Sequence, residues 1–474
     1  MSFPRYPAYK DSGVEWLGEV PEHWEVDDLK HRCLAFPSNV DKKSYDDEAS
    51  VRLCNYIDVY YNDVITSAME FMSATASPQQ IATFSLRAGD TIITKDSETA
   101  DDIGISAFVP DDLPGVVCGY HLTMIRPRCD VSGAFVKRLF DAKTTKAKLE
   151  VSANGLTRVG LGQYAIDNLT FAWPPLAEQA AIATFLDCET AKIDALVAEQ
   201  EKLIELLKEK RQAVISHAVT KGLDPSVPMK DSGVEWLGEV PAHWAVASLG
   251  YLSKIDTGST PDRSIPAYWD RDVPWVKTGE VDWTPIHGTE EYISLEGLKN
   301  SACKVAPPGT LLMAMYGQGM TRGRAALLAI NSAYNQACAG IQFGARVASD
   351  FALFYFMAAY AFIRDSGNET SQMNLSVGII SKFRLPVPPR AEQDAIVQYL
   401  RLALKKHVRL EDEARSAIVF LQERRSALIS AAVTGQIDVR GLADRTGTPD
   451  LIAAHADSTP TQGRFDSEST VHAA

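Results

Sequence analysis

Three acid-x-Lys triplets, Asp28-Leu-Lys30, Asp41-Lys-Lys43 and Asp141-Ala-Lys143, carry the residue types with which metal-dependent nucleases hold a cation and orient a water. Such a centre needs a further acid upstream, and only Asp141-Ala-Lys143 follows a Pro-Asp pair, Pro110-Asp111. That triplet falls in a stretch, Ala134 to Leu149, that reads as one helix, where charges so spaced form a solvated face. Other chemistry is missing from the sequence. It has no Walker loop for ATP, no Gly-x-Gly-x-x-Gly for a nucleotide cofactor, and no Asn/Asp-Pro-Pro-aromatic motif of the kind that acts on a flipped base. The nine His are scattered, and His23 and His243 sit in a repeated Pro-x-His-Trp turn, where they read as structural side chains beside Trp24 and Trp244. The seven Cys form no Cys-x-x-Cys pair and read as reduced, mostly buried thiols. These residues predict a chain with no catalytic centre, metal site or cofactor of its own.

The elements that could position other functions are those of a globular protein of several domains, since 474 residues exceed one ordinary core. Hydrophobic residues make 46% and charged residues 23%, near the average for folded soluble chains. The longest apolar run, Phe351 to Ile363, falls short of the roughly 18 residues of a spanning helix, so no membrane partner is expected. Met1 to Lys10 lacks the apolar core of a signal peptide, which points to the cytosol. A net charge of −14 argues against a polyanionic partner for the chain as a whole. Charge is local, however: Lys299 to Ser349 contains no Asp or Glu but holds Lys299, Lys304, Arg322, Arg324 and Arg346, and Lys143, Lys146 and Lys148 cluster in the first half.

The chain is written twice. Lys10 to Val26 reads KDSGVEWLGEVPEHWEV and Lys230 to Val246 reads KDSGVEWLGEVPAHWAV, differing only at Glu22/Ala242 and Glu25/Ala245. Pro174-Pro-Leu-Ala-Glu-Gln179 returns as Pro388-Pro-Arg-Ala-Glu-Gln393, and Arg211 to Thr220 returns as Arg425 to Thr434. The spacing of 220 residues at the front falls to 214 at the helix, so the frames repeat while the inserts vary. Two copies of one domain in one chain should pack about a pseudo-two-fold axis.

Each copy ends in a long predicted helix. Pro-Pro enforces an extended approach, Glu178 or Glu392 follows in the first turn, and Gly222 or Gly435 stops the helix. A four-three alternation through 396, 400, 403, 407, 410, 414, 417, 421, 424 and 428 maps onto 182, 186, 189, 193, 196, 200, 203, 207, 210 and 214. A shared heptad register predicts a mutual, antiparallel coiled coil. The variable parts, Leu29 to Phe171 and Leu249 to Leu385, read as mixed strand and helix: strands at Val51–Val59, Gly89–Thr94 and His121–Arg126, answered by Val273–Val281, Gly309–Met315 and Ala337–Phe343, then helices near Ala134–Leu149 and Asp350–Arg364. The expectation is an α+β chain with an internal pseudo-two-fold repeat: a first mixed domain over 1–173, a helix over 174–222, a second domain over 223–387, a second helix over 388–440, and a disordered tail over 441–474.

The doubled KDSGVEWLGEVPxHW phrase, the PPxAEQ helix start, and Gly258-Ser-Thr-Pro261 followed by Tyr268-Trp269 and Val273-Pro-Trp275 closely resemble the specificity subunits of Type I restriction-modification systems. The resemblance covers nearly all of Lys10 to Val439. It implies that the two variable parts are target-recognition domains for double-stranded DNA, each reading half of a bipartite target. The paired helices would then be spacers that dock two methyltransferase subunits, with restriction/translocase subunits joining the assembly. It also implies that S-adenosylmethionine, ATP and Mg act in those partners. The main alternative is a polypeptide with a fused nuclease or methyltransferase of its own, which the missing motifs disfavour, and a second is a non-DNA adaptor that uses a duplicated coiled-coil frame.

Base edges are read by Arg, Lys, Asn, Gln, Ser and Thr, and phosphates by the same types with backbone amides. Tyr316-Gly-Gln318-Gly-Met-Thr321-Arg322-Gly-Arg324 combines these between two strands and is the first candidate. Alignment of the two halves places Lys95, Ser97 and Thr99 in the matching loop. Supporting candidates are Lys277, Thr278, Asn335, Gln336, Ser371, Gln372 and Asn374, with Tyr120, Asn154, Thr157 and Arg158 in the first half.

Overall fold

A computed structural model describes residues 3–317, 321–365 and 374–442. The tail beyond 442 lies outside these residues. The chain divides into two compact units, one built from Met1–Glu199 and the segment from Ala417 on, the other from Gln200–Ser416. Each unit is α+β and has the same construction.

The repeated phrase folds identically in both. Tyr9–Asp11 pairs antiparallel with Glu19–Pro21, and Met229–Asp231 with Glu239–Pro241, in the same register. The intervening turn is closed by the Asp11 carboxylate accepting from Gly13 N–H at 2.9 Å, and by Asp231 accepting from Gly233 at 2.9 Å. Behind it comes a four-stranded antiparallel sheet. In the first unit its order is Thr91–Thr94 between Ser106–Phe108 and Leu122–Pro127, with Cys33–Pro37 outside the last. In the second, Leu311–Ala314 lies between Ala325–Leu327 and Cys338–Phe343, with Ser253–Thr257 outside. A three-stranded sheet follows the same rule: Ala49–Cys54 is parallel to Val116–Cys118 and antiparallel to Met72–Ala76, and Val273–Val276 is parallel to Ala333–Tyr334 and antiparallel to Tyr292–Ile293.

Several predicted elements are shorter. The strands expected at Val51–Val59 and Val273–Val281 both end early, at Cys54 and Val276. Asn55 and Asp58 form a capping box that starts the helix Tyr56–Tyr60, and Lys277 with Glu280 starts the 3₁₀ turn Thr278–Glu280. Side-chain capping has outcompeted the strand ladder. The helix expected from Ala134 to Leu149 is two, Gly133–Asp141 and Lys143–Ser152, broken at a buried, extended Ala142. Asp141 is occupied there by Lys137, Arg138 and Ser106. The second counterpart also divides, into Ser349–Ala358 and Tyr360–Asp365.

The long helices run over Leu176–Lys221 and Arg390–Val433. Their stops are the expected glycines, Gly222 at φ 78° and Gly435 at φ 75°, a left-handed conformation that side chains with a Cβ avoid. Within the first unit Ile182, Phe185, Leu186 and Ile193, from the start of the first helix, share one core with Leu428, Ile429, Ala432 and Val433, from the end of the second. Within the second unit the relation reverses, Ile215, Ala218 and Val219 packing with Ile396, Val397 and Leu400. Both units therefore pair the helices antiparallel. The expected seam holds on the second helix at Ile396, Leu400, His407, Ala414 and Leu428, all buried. On the first it moves by one residue: Leu196 and Leu203 are 45% and 41% exposed, while Ile204 is buried and Val197 packs against the core. Adjacent apolar pairs at 196/197 and 203/204 satisfy either register, and an unsupercoiled helix drifts about 20° per heptad, enough to exchange them.

One arrangement fastens helix to frame in both units. The Glu178 carboxylate, 6% exposed, accepts from Trp24 Nε1 at 3.0 Å and Tyr6 hydroxyl at 2.5 Å, and its other oxygen meets His23 Nε2 at 2.8 Å. Glu392 likewise binds Trp244 Nε1 at 3.0 Å and His243 Nε2 at 2.9 Å. The next residue reaches the other way. Gln179 accepts from Ser132 N–H and donates to the Pro174 carbonyl, and Gln393 accepts from Ala348 N–H and donates to the carbonyls of Pro388 and Arg346.

The first unit adds an ionic attachment. Lys137 bonds Asp63 and Asp141 at 2.8 Å each, Arg138 bonds Asp187 at 2.5 Å, and Arg425 bonds Asp194 at 3.0 Å and Asp63 at 3.3 Å. Burial works to raise the Asp63 pKa, but Lys137, Arg425 and Arg138 hold it down, to about 2.

Glu178→Ala should leave Trp24 N–H buried without an acceptor and cost about 1–3 kcal/mol, read as a lowered denaturant midpoint, while Glu178→Gln should recover part of the loss. The depressed Asp63 pKa stabilises the fold fully above the ordinary aspartate value of 3.8 and ceases to do so as pH falls toward 2. The wild-type melting temperature should therefore fall across that window by more than that of Asp63→Asn, and parallel curves would contradict this attachment.

Candidate nucleic-acid interface

In the first unit a short ribbon gathers the candidate residues. Asp96–Ser97 pairs antiparallel with Val159–Gly160, Lys95 N–H donates to the His121 carbonyl at 3.0 Å, and Leu161 N–H donates to the Lys95 carbonyl at 2.8 Å. Residues 95–97, 120–121 and 154–161 are thereby brought together. The Lys95 ammonium is half-buried, donates to the Ser38 carbonyl at 2.8 Å and lies 4.5 Å over the Tyr120 ring; burial lowers its pKa. Tyr120 itself is 51% exposed. Asp96 accepts from His121 Nδ1 at 2.8 Å and pairs with Arg158 at 3.4 Å. Ser97 is buried, so it supports the ribbon from beneath. Asn154, Thr157, Arg158 and Thr99 are exposed, Asn154 donating to the Ser152 carbonyl at 2.8 Å.

Sequence reasoning missed the aromatic neighbours of this face. Tyr56 and Tyr60 stack at 5.4 Å, Tyr60 donates to Asp102 at 3.0 Å, and Tyr61 stands 77% exposed beside them. Their spacing of four was visible, but the strand expected through Val59 concealed it.

The second unit builds its face on the corresponding loops. Asn335 and Thr278 bond each other, Asn335 Nδ2 donating to Thr278 Oγ1 at 3.0 Å. Thr260 Oγ1 donates to Gln336 Oε1, and Gln336 is exposed. Lys277 is paired with Glu290 at 2.9 Å and Glu291 at 3.2 Å, which raises its pKa. Arg324 pairs with Asp282 at 2.8 Å, and Arg322 donates to the Arg364 carbonyl at 2.5 Å. Tyr316 is 40% exposed, while Thr321 and Asn374 are half-buried. Gln318, Ser371 and Gln372 lie outside the described residues. Arg324, in the acid-free stretch, thus borrows a carboxylate from outside it. A second feature the sequence reading passed over is Arg263, whose guanidinium lies 3.9 Å over Trp269 and 5.1 Å over Trp275 while pairing with Glu291 at 2.7 Å.

These faces offer amides, hydroxyls, aromatic rings and guanidiniums, the groups that recognise base edges and phosphates. Among the described residues no group of three or more His, Cys, Asp or Glu could hold a metal ion, and no helix is long and apolar enough to cross a membrane.

Comparison with known proteins agrees in kind. Residues 241–418 match the family model described as the Type I restriction modification DNA specificity domain. Over 434 residues the chain is 22% identical to the protein assigned as the MjaX type I restriction enzyme specificity subunit of Methanocaldococcus jannaschii, covering 90% of this chain and 96% of that one. It is 26% identical over 211 residues to the EcoKI specificity subunit of Escherichia coli, 42% of each chain. Among solved structures, a chain of a type I R-M system studied for complex assembly and conformational transition matches with a TM-score of 0.68 at 16% identity, over 87% of this chain and 98% of that one. The HsdS subunit from Thermoanaerobacter tengcongensis matches with a TM-score of 0.54 at 16% identity, over 88% and 98%.

Proposed function

We propose that this chain, a member of the specificity-subunit family of Type I restriction-modification systems, reads a bipartite DNA target with its two units and lends that reading to catalytic partners. The observation that carries the proposal is one frame, repeated with matching strand order and matching Glu–His–Trp fastenings, that supports two differently furnished polar faces. A duplicated frame with divergent faces is the construction needed to read two half-sites of different sequence.

The reading extends to an assembly. Two methyltransferase subunits dock on the frame and supply S-adenosylmethionine chemistry, restriction/translocase subunits supply ATP- and Mg-dependent movement and cleavage, and this chain contributes no cofactor. The residues on the two faces divide by role. Exposed Asn154, Thr157 and Arg158 in the first unit and Gln336 in the second suit direct contact with DNA. Ser97, Asn335, Lys277 and Arg324, less exposed than these, suit the shaping of the surface. Such an assembly works where the host's DNA is, in the cytosol.

The purified chain incubated with S-adenosylmethionine and DNA should transfer no methyl group until a methyltransferase subunit is added; transfer by the chain alone would instead support a fused enzyme. Replacing Leu29–Phe171 by the corresponding segment of another family member should change one half-site of the methylated sequence and leave the other intact, as read by sequencing methylated DNA. A change in both half-sites would end the modular reading.

A further inference from the structure

The two units place one pair of residues at the same point of the fold. In the first, Cys118 closes the parallel pairing with Cys54, Gly119 N–H donates to the Cys54 carbonyl at 2.9 Å, and Tyr120 stands exposed before the strand Leu122–Pro127 begins. In the second, Tyr334 closes the parallel pairing with Val276, Asn335 N–H donates to the Val276 carbonyl at 3.0 Å, and Gln336 stands exposed before the strand Cys338–Phe343. The neighbouring loops correspond as well. Ser38 N–H donates to the Leu122 carbonyl at 3.0 Å, as Gly258 N–H does to that of Cys338 at 3.1 Å. Tyr120 and Gln336 are therefore one position, occupied by different chemistry.

Each is held from the loop beneath it. In the first unit Lys95, anchored on the Ser38 carbonyl, lies over the Tyr120 ring. In the second, a Cβ at Gly258 would stand 2.2 Å from the carbonyl oxygens of Tyr334 and Asn335, so only glycine lets the Gly-Ser-Thr segment lie so close to residues 334–336. Ser259 N–H then donates to the Tyr334 carbonyl at 3.0 Å, and Thr260 Oγ1 donates to Gln336 Oε1. Asn335 beside it is turned to Thr278.

We propose that Tyr120 and Gln336 are the same specificity-determining position in the two units, and that Thr260 is the positioning residue that sets the Gln336 carboxamide for a base edge. The inference rests on the DNA-reading function proposed above. With one lone pair of Oε1 taken by Thr260, Gln336 keeps the other lone pair and both amide N–H groups. One N–H and that lone pair fit N7 and N6 of an adenine. Tyr120 presents a ring edge and a hydroxyl, which suit an apolar or single-acceptor contact such as a thymine methyl with its O4. A carboxamide whose oxygen is held by Thr260 keeps its donor and acceptor sides fixed, so it discriminates better than one free to turn over.

The test uses the full chain co-assembled with its methyltransferase subunit, offered a pool of randomised duplexes and read by sequencing the methylated products. Gln336→Ala should relax the preference at one base pair of one half-site, losing roughly 5- to 150-fold discrimination. Thr260→Val should relax the same base pair more weakly, Thr260→Ser should keep it, and the other half-site should be unchanged in all three. Tyr120→Ala should relax one base pair in the other half-site. Gln336 is exposed, so its alanine variant keeps the question answerable should Thr260→Val fail to fold. Unaltered preference in Gln336→Ala, or relaxation by Thr260→Val at a different base pair, overturns the inference while leaving DNA reading in place. A wild-type assembly that selects no sequence overturns both.

Discussion

A carboxylate withdrawn from water must be given hydrogen bonds, and that requirement, strict at buried Glu178 and weaker at half-buried Glu392, organises both units. Each glutamate begins a long helix, and each collects an indole N–H and an imidazole from the repeated Trp-His turn. Left unpaired, such a group would cost far more than the net value of any one of its bonds, so the turn and the helix start are obliged to meet. The adjacent glutamine extends the constraint to a third part of the chain, the first turn of the helix at Gly133 or Ser349. The glycine ending the other long helix then packs on the same tryptophan: a Cβ at Gly222 would lie 3.2 Å from Trp244, and one at Gly435 3.2 Å from Trp24. Helix start, helix end and repeat thus converge, and the antiparallel pairing follows.

The two units satisfy this plan with different materials. The first fastens its mixed domain to the helices with Lys137, Arg138 and Arg425 against Asp63, Asp187 and Asp194. The corresponding helix in the second, Ser349–Ala358, is buried through Phe351, Leu353, Phe354 and Phe356, with one exposed ion pair from Asp350 to Arg401 at 2.7 Å. Lys137 and Arg138 are buried, so removing their carboxylate partners leaves a buried charge behind, whereas apolar contacts yield gradually with volume. Equivalent joints are therefore expected to differ in their response to acid and to mutation.

Charge on the candidate faces is likewise a matter of neighbours. Arg324 looked free in a stretch without acids, yet it meets the Asp282 carboxylate from an earlier loop, and Lys277 is held by Glu290 and Glu291 of the next turn of chain. Their ion pairs hold those loops in place, and the loops display uncharged amides, hydroxyls and rings. A chain of net charge −14 can present such a surface because hydrogen bonding to base edges depends on directed donors and acceptors more than on total charge.

The duplication, the two long helices with their proline starts and glycine stops, and the structural part of His23 and His243 were legible in the amino-acid sequence, because each depends on residues close together in the chain or on plain repetition. Tertiary structure alone decided whether Leu196 or Val197, and Leu203 or Ile204, turns inward, since both satisfy a heptad and only the packing partner tells them apart. It also decided the break at Ala142, where Asp141 is claimed by Lys137, Arg138 and Ser106, and the partners of Lys277, Arg324 and Gln336. Apart from the short-range pairs of Asp141 with Lys137 and Arg138, those outcomes rest on contacts between segments well separated in the chain, and such contacts leave no periodic mark in the sequence.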